Sequence, residues 1–316
     1  FERFLPLCPA EQIYVVTNAQ YRDLVKEHLP ELSDQQILCE PSRNNTAPCV
    51  AYAAFKLNQL NPEANMIVAP ADHLITKEEA FLDRIRMALD FADRKNALLT
   101  LGIQPNKPHT GYGYIQFKSQ ATEGDVHEVA AFTEKPNVEK AQVFLDSGDY
   151  VWNAGIFIWK TKSVLKAFQE YATEIYDILK TGEGVYNSSG EQAFINQAYP
   201  TTPSISIDYA IMEKANNVYT IPADIGWSDL GTWDSIYQLM QKDQQQNAVS
   251  GVSCHLLDAK DNMIHGAKDK LVVVKGIKDF IIVDDDDVLL IYPKSDEQGI
   301  KQVINTLKDN GKQGYL

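Results

Sequence analysis

The chain has 316 residues, of which 44% are hydrophobic and 23% charged, with a formal net charge of −14. This composition indicates a globular protein with one large and one smaller domain, and it excludes disordered and fibrous classes. The negative charge excludes a broad surface for nucleic acid, although a local pocket of N–H groups, lysines and metal suits a nucleotide. No apolar run approaches the ~20 residues of a membrane helix. The four cysteines are scattered, so we predict reduced thiols in a cytoplasmic protein.

The first hundred residues alternate short apolar runs with amphipathic stretches. They predict strands at 13–16, 37–39, 66–69 and 97–101, and helices at 21–29, from 48 to 60 and from 81 to 92. Pro48 suits the first helical position, with Asn45 or Thr46 as the N-cap. Buried strands that alternate with helices predict a Rossmann-like α/β fold whose sheet is parallel in this half. Ligands then bind beyond the carboxyl ends of the strands.

After residue 110 the pattern changes to glycine-rich and aromatic strands mixed with helices. Strands are predicted at 112–117, 129–133 and 156–159, and helices at 138–145, 163–179 and 233–240. They indicate insertions that build a substrate pocket on a mixed sheet. A polar linker at 242–247 precedes short β runs up to residue 293 and a helix at 297–307. We therefore predict two domains, 1–245 and 246–316, the second a small β-solenoid or a small sandwich.

Two isolated acids predict a metal site. Asp72 follows the strand at 66–69, where an open α/β sheet presents ligand-facing groups, and Asp229 lies in a turn before the helix at 233–240. Mg²⁺ accepts one or two carboxylates and takes its remaining ligands from phosphates and water. Alternatively, each acid caps the helix that follows it. Together they predict one divalent cation held from two distant parts of the sequence.

Three further segments have the chemistry of a sugar-phosphate site. Gly111 and Gly113 allow close approach of the backbone to a ligand, unless they serve a hairpin that needs positive φ. Glu134 and Lys135 lie where a strand gives way to a turn, and the alternative is a solvated surface pair. Asn153 carries donors and an acceptor that suit sugar hydroxyls, or else it is a turn asparagine.

Other chemistries have no support in the sequence. The aspartate run at 284–287 is interpreted as a solvated turn, because adjacent carboxylates repel one another. We find no catalytic triad, no HExxH motif, no Cys/His cluster and no GxGxxG fingerprint, so a nicotinamide cofactor is not expected.

Seven segments in a fixed order carry a family resemblance. They are 40–41 with 45–48, 69–73, 110–115, 132–136, 152–157, 206–210 and 227–231. Together they resemble the sugar nucleotidyltransferases, and within them the guanylyltransferases that act on mannose 1-phosphate. The resemblance is strong over residues 10–245. It implies a strand and a glycine-rich loop of ~40–45 residues before Phe1. The family also places a basic residue directly before its Asn-Thr-Ala-Pro turn, whereas Asn44 occupies that position here, after Arg43.

The resemblance implies a reaction and a role for each residue. Mannose 1-phosphate would attack GTP, with Mg²⁺ on Asp72 and Asp229, in a protein expected to be a homodimer. Its substrate-binding residues are implied to be Glu40, Asn45 and Thr46 for guanine, the backbone at Gly111 and Gly113, Lys135 for the sugar phosphate, Glu134 and Asn153 for sugar hydroxyls, and Asp208 in support.

Three alternatives remain open at this point. A nucleotidyltransferase for another sugar or base, such as a glucose-1-phosphate thymidylyltransferase, would share most of these segments. A non-catalytic nucleotide-binding homologue would share the fold. A metal-dependent glycosyltransferase would usually show an Asp-x-Asp pair, whereas His73 and Leu74 follow Asp72 here.

Overall fold

The computed structural model describes residues 1–267 and 270–315. The helices are α1 (Arg22–His28), α2 (Thr46–Leu60), α3 (Glu78–Arg94), α4 (Val138–Ser147), α5 (Thr161–Tyr171), α6 (Thr173–Lys180), α7 (Glu191–Ala198), α8 (Trp233–Leu239) and α9 (Ile300–Asp309). The strands are β1 (Val15–Asn18), β2 (Ile37–Glu40), β3 (Asn65–Val68), β4 (Leu74–Ile75), β5 (Leu98–Ile103), β6 (Tyr114–Phe117), β7 (His127–Thr133), β8 (Tyr150–Lys160), β9 (Val218–Pro222), β10 (Trp227–Ser228), β11 (Ala248–Ser250), β12 (Ser253–Leu257), β13 (Met263–Gly266), β14 (Leu271–Lys275), β15 (Phe280–Asp285) and β16 (Val288–Pro293).

The chain forms two compact units. The first comprises residues 1–71 and 75–227, and the second comprises 72–74 and 228–316. A six-stranded sheet in the order β3-β8-β5-β9-β7-β6 forms the centre of the first unit, and β1 and β2 form a separate parallel pair. The α/β class and the small C-terminal β domain with its terminal helix are thus confirmed.

The central sheet is mixed, and the expectation of parallel pairing in the first half is wrong for β3 and β5. Strand β8 lies between them and runs antiparallel to both, and with eleven residues it is the longest strand of this sheet as described. Only β5 and β9 pair in parallel within this sheet as described. Strand β6 also pairs with the start of β8, so that β8, β5, β9, β7 and β6 form a closed circuit of pairings.

Apolar faces of helices cover the sheet. One cluster packs α2 and α5 against Leu98 and Trp159, and a second packs α3 against Leu99 and Ile158. The successive residues 98 and 99 belong to different clusters because side chains alternate along a strand. Two helix predictions need correction. The predicted helix at 163–179 is two helices separated by Ala172, whose backbone is not helical, and α2 begins at Thr46, which makes Pro48 its third residue.

A buried ion pair links α2 to α7. Lys56 Nζ lies 2.7 Å from Glu191 Oε2, and the side chains are 5% and 10% exposed. Tyr52 donates to the other carboxylate oxygen at 2.7 Å, and the backbone N–H of Asn187 donates to Oε2 at 2.6 Å. The Glu191 carboxylate is therefore fully engaged by groups inside the protein.

Lys56→Met should lower the free energy of unfolding by about 3 kcal/mol, because it leaves the Glu191 carboxylate buried without its cation. Urea denaturation measures this loss. Lys162 makes an exposed ion pair with Glu63, so the control Lys162→Met should cost less than about 1 kcal/mol. Equal losses in the two variants would show that burial does not govern the Lys56 pair.

The second unit contains a parallel β-solenoid. Ser253 pairs with Leu271, and Met263 pairs with Ile281, in parallel and with the same offset of 18 positions. Parallel pairing at a regular offset is the signature of a solenoid and excludes the sandwich alternative. An antiparallel hairpin of β15 and β16 follows, and its turn contains Asp286 and Asp287 of the predicted aspartate turn. Asp284 and Asp285 belong instead to β15, and Asp284 is 16% exposed and pairs with Lys270 at 2.6 Å.

Asparagines connect successive coils of the solenoid. Asn262 Nδ2 donates to Asn247 Oδ1 at 2.9 Å, and the Phe280 N–H donates to Asn262 Oδ1 at 3.0 Å. Both asparagines are buried, so these bonds satisfy amides that would otherwise cost stability. Across 1–267 and 270–315, no helix has both the length and the apolarity to cross a membrane.

Candidate functional site

The register of three strands brings three of the predicted residues together. Tyr114 pairs with Thr133 on one side and with Trp152 on the other, both antiparallel. Gly113 directly precedes Tyr114, and antiparallel pairing places the residues after 133 and 152 beside it. These residues are Glu134 and Asn153. The Asn153 N–H donates to the Gly113 carbonyl at 2.9 Å, which confirms the placement.

Gly113 lies directly beneath the carboxylate of Glu134. A Cβ at this position would lie 2.5 Å from Glu134 Oε2, so any other residue would displace that side chain. Neither Gly111 nor Gly113 is among the positive-φ glycines, and the alternative of a hairpin that requires positive φ is therefore wrong. Gly113 is needed for the close approach of the acid.

The amide of Asn153 is held in one orientation. Its Oδ1 accepts from Thr100 Oγ1 at 2.8 Å and from the Gly155 N–H at 3.1 Å, and its Nδ2 donates to Asp208 Oδ1 at 3.0 Å. Asn153 lies within strand β8, so it is not a turn asparagine. Oδ1 is engaged twice, so the second N–H of the Nδ2 group is the part of this side chain that suits a ligand's acceptor.

Glu134 and Lys135 form an ion pair of unequal exposure. Lys135 Nζ lies 3.0 Å from Glu134 Oε1, and the side chains are 60% and 9% exposed. A solvated surface pair is therefore the wrong description of Glu134. The hydrogen bond that Lys135 donates to Glu134 raises the pKa of Lys135 despite partial burial, so the lysine stays an ammonium at neutral pH.

Asp208 is the acid of this cluster whose titration is most perturbed. Burial, together with the nearby Glu134 carboxylate, raises its pKa from 3.8 to about 6, while Lys135 opposes both. The folded protein therefore binds a proton at Asp208 more tightly than the unfolded chain does. Ionisation of Asp208 therefore lowers the free energy of unfolding. This loss grows as the pH rises from about 4 to about 6 and is complete above about 6.

Asp208→Asn should stabilise the protein at pH 8 by about 2 kcal/mol, because it keeps an acceptor for Asn153 and removes the buried charge. The gain should shrink as the pH falls from about 6 towards 4, where wild-type Asp208 becomes protonated. Urea denaturation across this pH range measures the difference. A gain that does not change with pH would contradict the assignment of the pKa to Asp208.

The start of α2 forms a second polar group, for which the family resemblance implies a role at guanine. Asn45 has φ +67 and caps the helix by accepting the Thr46 N–H at 2.8 Å, so the predicted cap is confirmed. Thr46 Oγ1 accepts from the Ile207 N–H at 2.9 Å, which ties this turn to the segment before Asp208. The side chain of Glu40 accepts from the hydroxyl of Tyr199, and burial raises its pKa.

The residues at the family's basic position have structural partners. Asn44 is buried, and its Nδ2 donates to the Thr202 carbonyl at 2.8 Å. Arg43 is exposed and donates to Tyr21 Oη at 3.1 Å. Asn44 therefore fixes this turn to the 199–202 segment, while Arg43 supplies the local positive charge.

Gly111 lies beside an aromatic group. Its N–H donates to His109 Nδ1 at 3.1 Å, and the His109 ring stacks on Tyr112 with centroids 3.9 Å apart. Tyr112 in turn contacts Trp152 and Trp227 edge-on, at 5.0 and 5.3 Å. The loop that carries Gly111 is therefore held by ring packing.

Asp72 and Asp229 both belong to the second unit. Strand β4 begins two positions after Asp72, β10 ends just before Asp229, and the two strands pair with each other. Asp72 is 84% exposed, and its Oδ1 lies 3.8 Å from His73 Nε2. Asp229 Oδ1 accepts from the Gly231 N–H at 3.1 Å.

Neither acid caps a helix, so those alternatives are wrong. Thr232 is the N-cap of α8, because its side chain accepts from the Ser235 N–H at 3.1 Å, and Lys77 occupies the N-cap position of α3. Within the described ranges, no three His, Cys, Asp or Glu side chains gather as metal ligands. Two carboxylates suit Mg²⁺, which takes its other ligands from substrate phosphates and water.

Three residues of these groups are absent from the sequence predictions. Thr100 orients Asn153, Tyr199 donates to Glu40, and Glu213 Oε1 accepts the Glu134 N–H at 3.0 Å. Thr100 lies in an apolar stretch that predicts only core positions, and the segment around Tyr199 contains no motif that predicts a site residue. Glu213 has the pattern of a solvated helix residue. Each acts through a partner distant in sequence, which periodicity does not show.

Comparison with known families relates both units to known proteins. The sequence profile of the nucleotidyl transferase family matches residues 7–246, and that of the MannoseP isomerase/GMP-like beta-helix domain matches residues 255–307. The mannose-1-phosphate guanylyltransferase of Escherichia coli is 34% identical over 312 residues, which are 95% of this chain and 66% of that protein. The alginate biosynthesis protein AlgA of Pseudomonas putida is 36% identical over 303 residues, 94% of this chain and 62% of that protein. The chain thus spans just under two-thirds of the length of these curated relatives.

Solved structures show the same likeness. A crystal structure described as mannose-1-phosphate geranyltransferase from Thermus thermophilus matches with a TM-score of 0.84 at 26% identity, and the match covers 97% of this chain and 87% of that one. One described as mannose-6-phosphate isomerase from Helicobacter pylori matches with a TM-score of 0.59 at 26% identity, over 72% and 88% of the two chains. The first match extends over nearly the whole chain.

Proposed function

Since this chain belongs to the nucleotidyl transferase family, we propose that it transfers GMP from GTP to mannose 1-phosphate and gives GDP-mannose and pyrophosphate. The observation that carries the proposal is the cluster in which Glu134 and Asn153 lie beside Gly113 and Lys135 pairs with Glu134. An ammonium beside a carboxylate and an oriented amide offers a cation for a phosphate and hydrogen-bonding groups for hydroxyls. That is the chemistry of a sugar phosphate.

The sugar site acts by positioning its substrate. A phosphate oxygen of mannose 1-phosphate forms a bond to the α-phosphorus of GTP, and the bond from that phosphorus to the β-phosphate bridging oxygen breaks. The nucleophile is already an anion, so no side chain need remove a proton. Lys135 holds the sugar phosphate as a point charge, while Glu134 and Asn153 orient the hexose through its hydroxyls.

The turn at the start of α2 completes the substrate contacts. Glu40, Asn45 and Thr46 are proposed to face the guanine, and the backbone at Gly111 and Gly113 lies against the sugar. Support comes from the hydrogen bond that the Ile207 N–H donates to Thr46 Oγ1. This bond connects the turn at the start of α2 to the segment that leads to Asp208.

Mg²⁺ is the proposed metal, with Asp72 and Asp229 as its protein ligands. When bound, the ion would supply positive charge to phosphate oxygens. The carboxylate of Asp72 is exposed, and the strand that follows it pairs with the strand that precedes Asp229. Both observations fit such a pair of ligands. The two aspartates would hold the ion through oxygen ligands, which Mg²⁺ prefers.

A substrate panel tests the proposal. The protein is made from the complete coding sequence that contains this chain and is incubated with Mg²⁺, a nucleoside triphosphate and a hexose 1-phosphate. We expect pyrophosphate release to be fastest with GTP and mannose 1-phosphate. Faster release with dTTP and glucose 1-phosphate would support the thymidylyltransferase alternative. Binding of nucleotide without release for any pair would support a non-catalytic homologue.

The proposal also includes a domain division and an assembly. We propose that residues 1–245 form the nucleotidyltransferase domain and 246–316 the solenoid domain, in a cytoplasmic homodimer. Sedimentation equilibrium of the purified protein tests the dimer directly.

A further inference from the structure

Residues Asp208–Met212 form a π-helix. The Glu213 N–H donates to the Asp208 carbonyl at 2.9 Å, a bond from residue i+5 to residue i. Such turns make up well under one per cent of protein residues and occur frequently at functional sites. In an α-helix residues five apart point about 140° away from each other. The π-turn instead brings the backbones of Asp208 and Glu213 together, one turn apart.

Both ends of this turn bind the proposed sugar site. Asp208 Oδ1 accepts from Asn153 Nδ2 at 3.0 Å, and Glu213 Oε1 accepts from the Glu134 N–H at 3.0 Å. One short turn therefore holds two of the residues proposed to contact the sugar. The bond at Glu134 joins positions 79 apart in the sequence.

The middle of the turn is fixed in the protein core. Ala210, Ile211 and Met212 are buried and belong to the cluster that covers one face of the central sheet. Their packing prevents the turn from moving as a unit. The carboxylates at its two ends therefore act from a rigid base.

The backbone that Glu213 holds is a strained one. Lys135 has φ +47, in the left-handed region that non-glycine residues rarely adopt. Pro136 follows it, and proline disfavours the helical regions for the residue before it. A conformation of this kind persists only where its surroundings over-determine it. The Glu134 peptide immediately before Lys135 is the part that Glu213 fixes.

We propose that Glu213 is a positioning residue, which accepts the Glu134 N–H and thereby holds the strained turn that presents the Lys135 ammonium to the phosphate of the sugar substrate. This inference rests on the proposed function, since it concerns the same sugar site. Glu213 itself does not touch the substrate. Loss of the Glu213 carboxylate lets the Glu134–Lys135 turn relax and lowers the affinity for the sugar phosphate.

Glu213→Ala should raise the KM for mannose 1-phosphate about tenfold, the effect of one lost hydrogen bond to a charged group. The KM for GTP should stay within about twofold and the Tm nearly unchanged, since Glu213 is exposed. Glu213→Gln keeps the accepting oxygen and should stay within about threefold of wild type. Glu174→Ala removes an equal charge from an exposed position of the same unit and should change neither KM.

The result that overturns the inference is a normal KM for mannose 1-phosphate in Glu213→Ala, or an equal rise for both substrates accompanied by a fall in Tm. Failure of the proposed function is a separate observation, because wild-type protein would then release no pyrophosphate from this substrate pair. In that case hydrogen exchange at the Glu134 amide decides. Exchange that accelerates in Glu213→Ala alone supports the held turn, and equal exchange in wild type and variant overturns it.

Discussion

Asp229→Asn should lower kcat about a thousandfold while the protein stays folded, because the variant removes one of two carboxylates proposed to bind Mg²⁺. The substitution is chosen for its geometry. Asp229 Oδ1 accepts the Gly231 N–H, and the amide oxygen of asparagine preserves that bond. The turn should therefore survive, and the loss should be one of charge alone. Steady-state kinetics over a range of Mg²⁺ concentrations measures it.

Two comparisons make the Asp229 prediction specific. Asp72→Asn should show a similar loss, and both variants should need more Mg²⁺ for half-maximal rate. Asp287→Ala removes an exposed acid in the β15–β16 turn and should leave kcat unchanged. Near-normal turnover in Asp229→Asn at low Mg²⁺ would remove Asp229 from the metal site.

Lys135→Met should lower kcat/KM for mannose 1-phosphate at least about a hundredfold, because the ammonium is the charge proposed to hold the sugar phosphate. The KM for GTP should change little. Lys135→Arg should recover only part of the loss, since its planar guanidinium cannot replace a compact ammonium 3.0 Å from Glu134 Oε1. Kinetics with each substrate varied in turn separates these effects.

Lys140→Met is the matched control, because this lysine is exposed on α4 close by in the sequence. It should behave as wild type. A rise in the KM for GTP alone in Lys135→Met would place Lys135 at the nucleotide and contradict its role on the sugar.

The fold and much of the site follow from local signals. Apolar runs of strand length and amphipathic stretches of helix length predict the elements around Asp72 and Lys135, and the Asn45 cap follows from a side chain that satisfies a helix N–H. The ends of β6, β7 and β8 carry the residues that the resemblance marks. What the sequence does not show is that their register sets Glu134 and Asn153 on either side of Gly113.

The remaining features depend on contacts distant in sequence. The apolar run of β8 does not specify which strands it pairs with, so its insertion between β3 and β5 is not predictable from periodicity. Ala172 interrupts the predicted helix without a glycine or proline to mark the break, because tertiary packing overrides helix propensity there. Glu213 has no local signature, since its partner is a backbone N–H on another element.

The position of the transferred atoms tests the central claim most directly. Mannose 1-phosphate labelled with heavy oxygen in its phosphate is incubated with GTP, Mg²⁺ and the full-length protein, and the products are followed by phosphorus NMR. Attack by the sugar phosphate on the α-phosphorus of GTP predicts that all label stays in GDP-mannose and none enters pyrophosphate. Label in pyrophosphate or in free phosphate would contradict the proposed reaction.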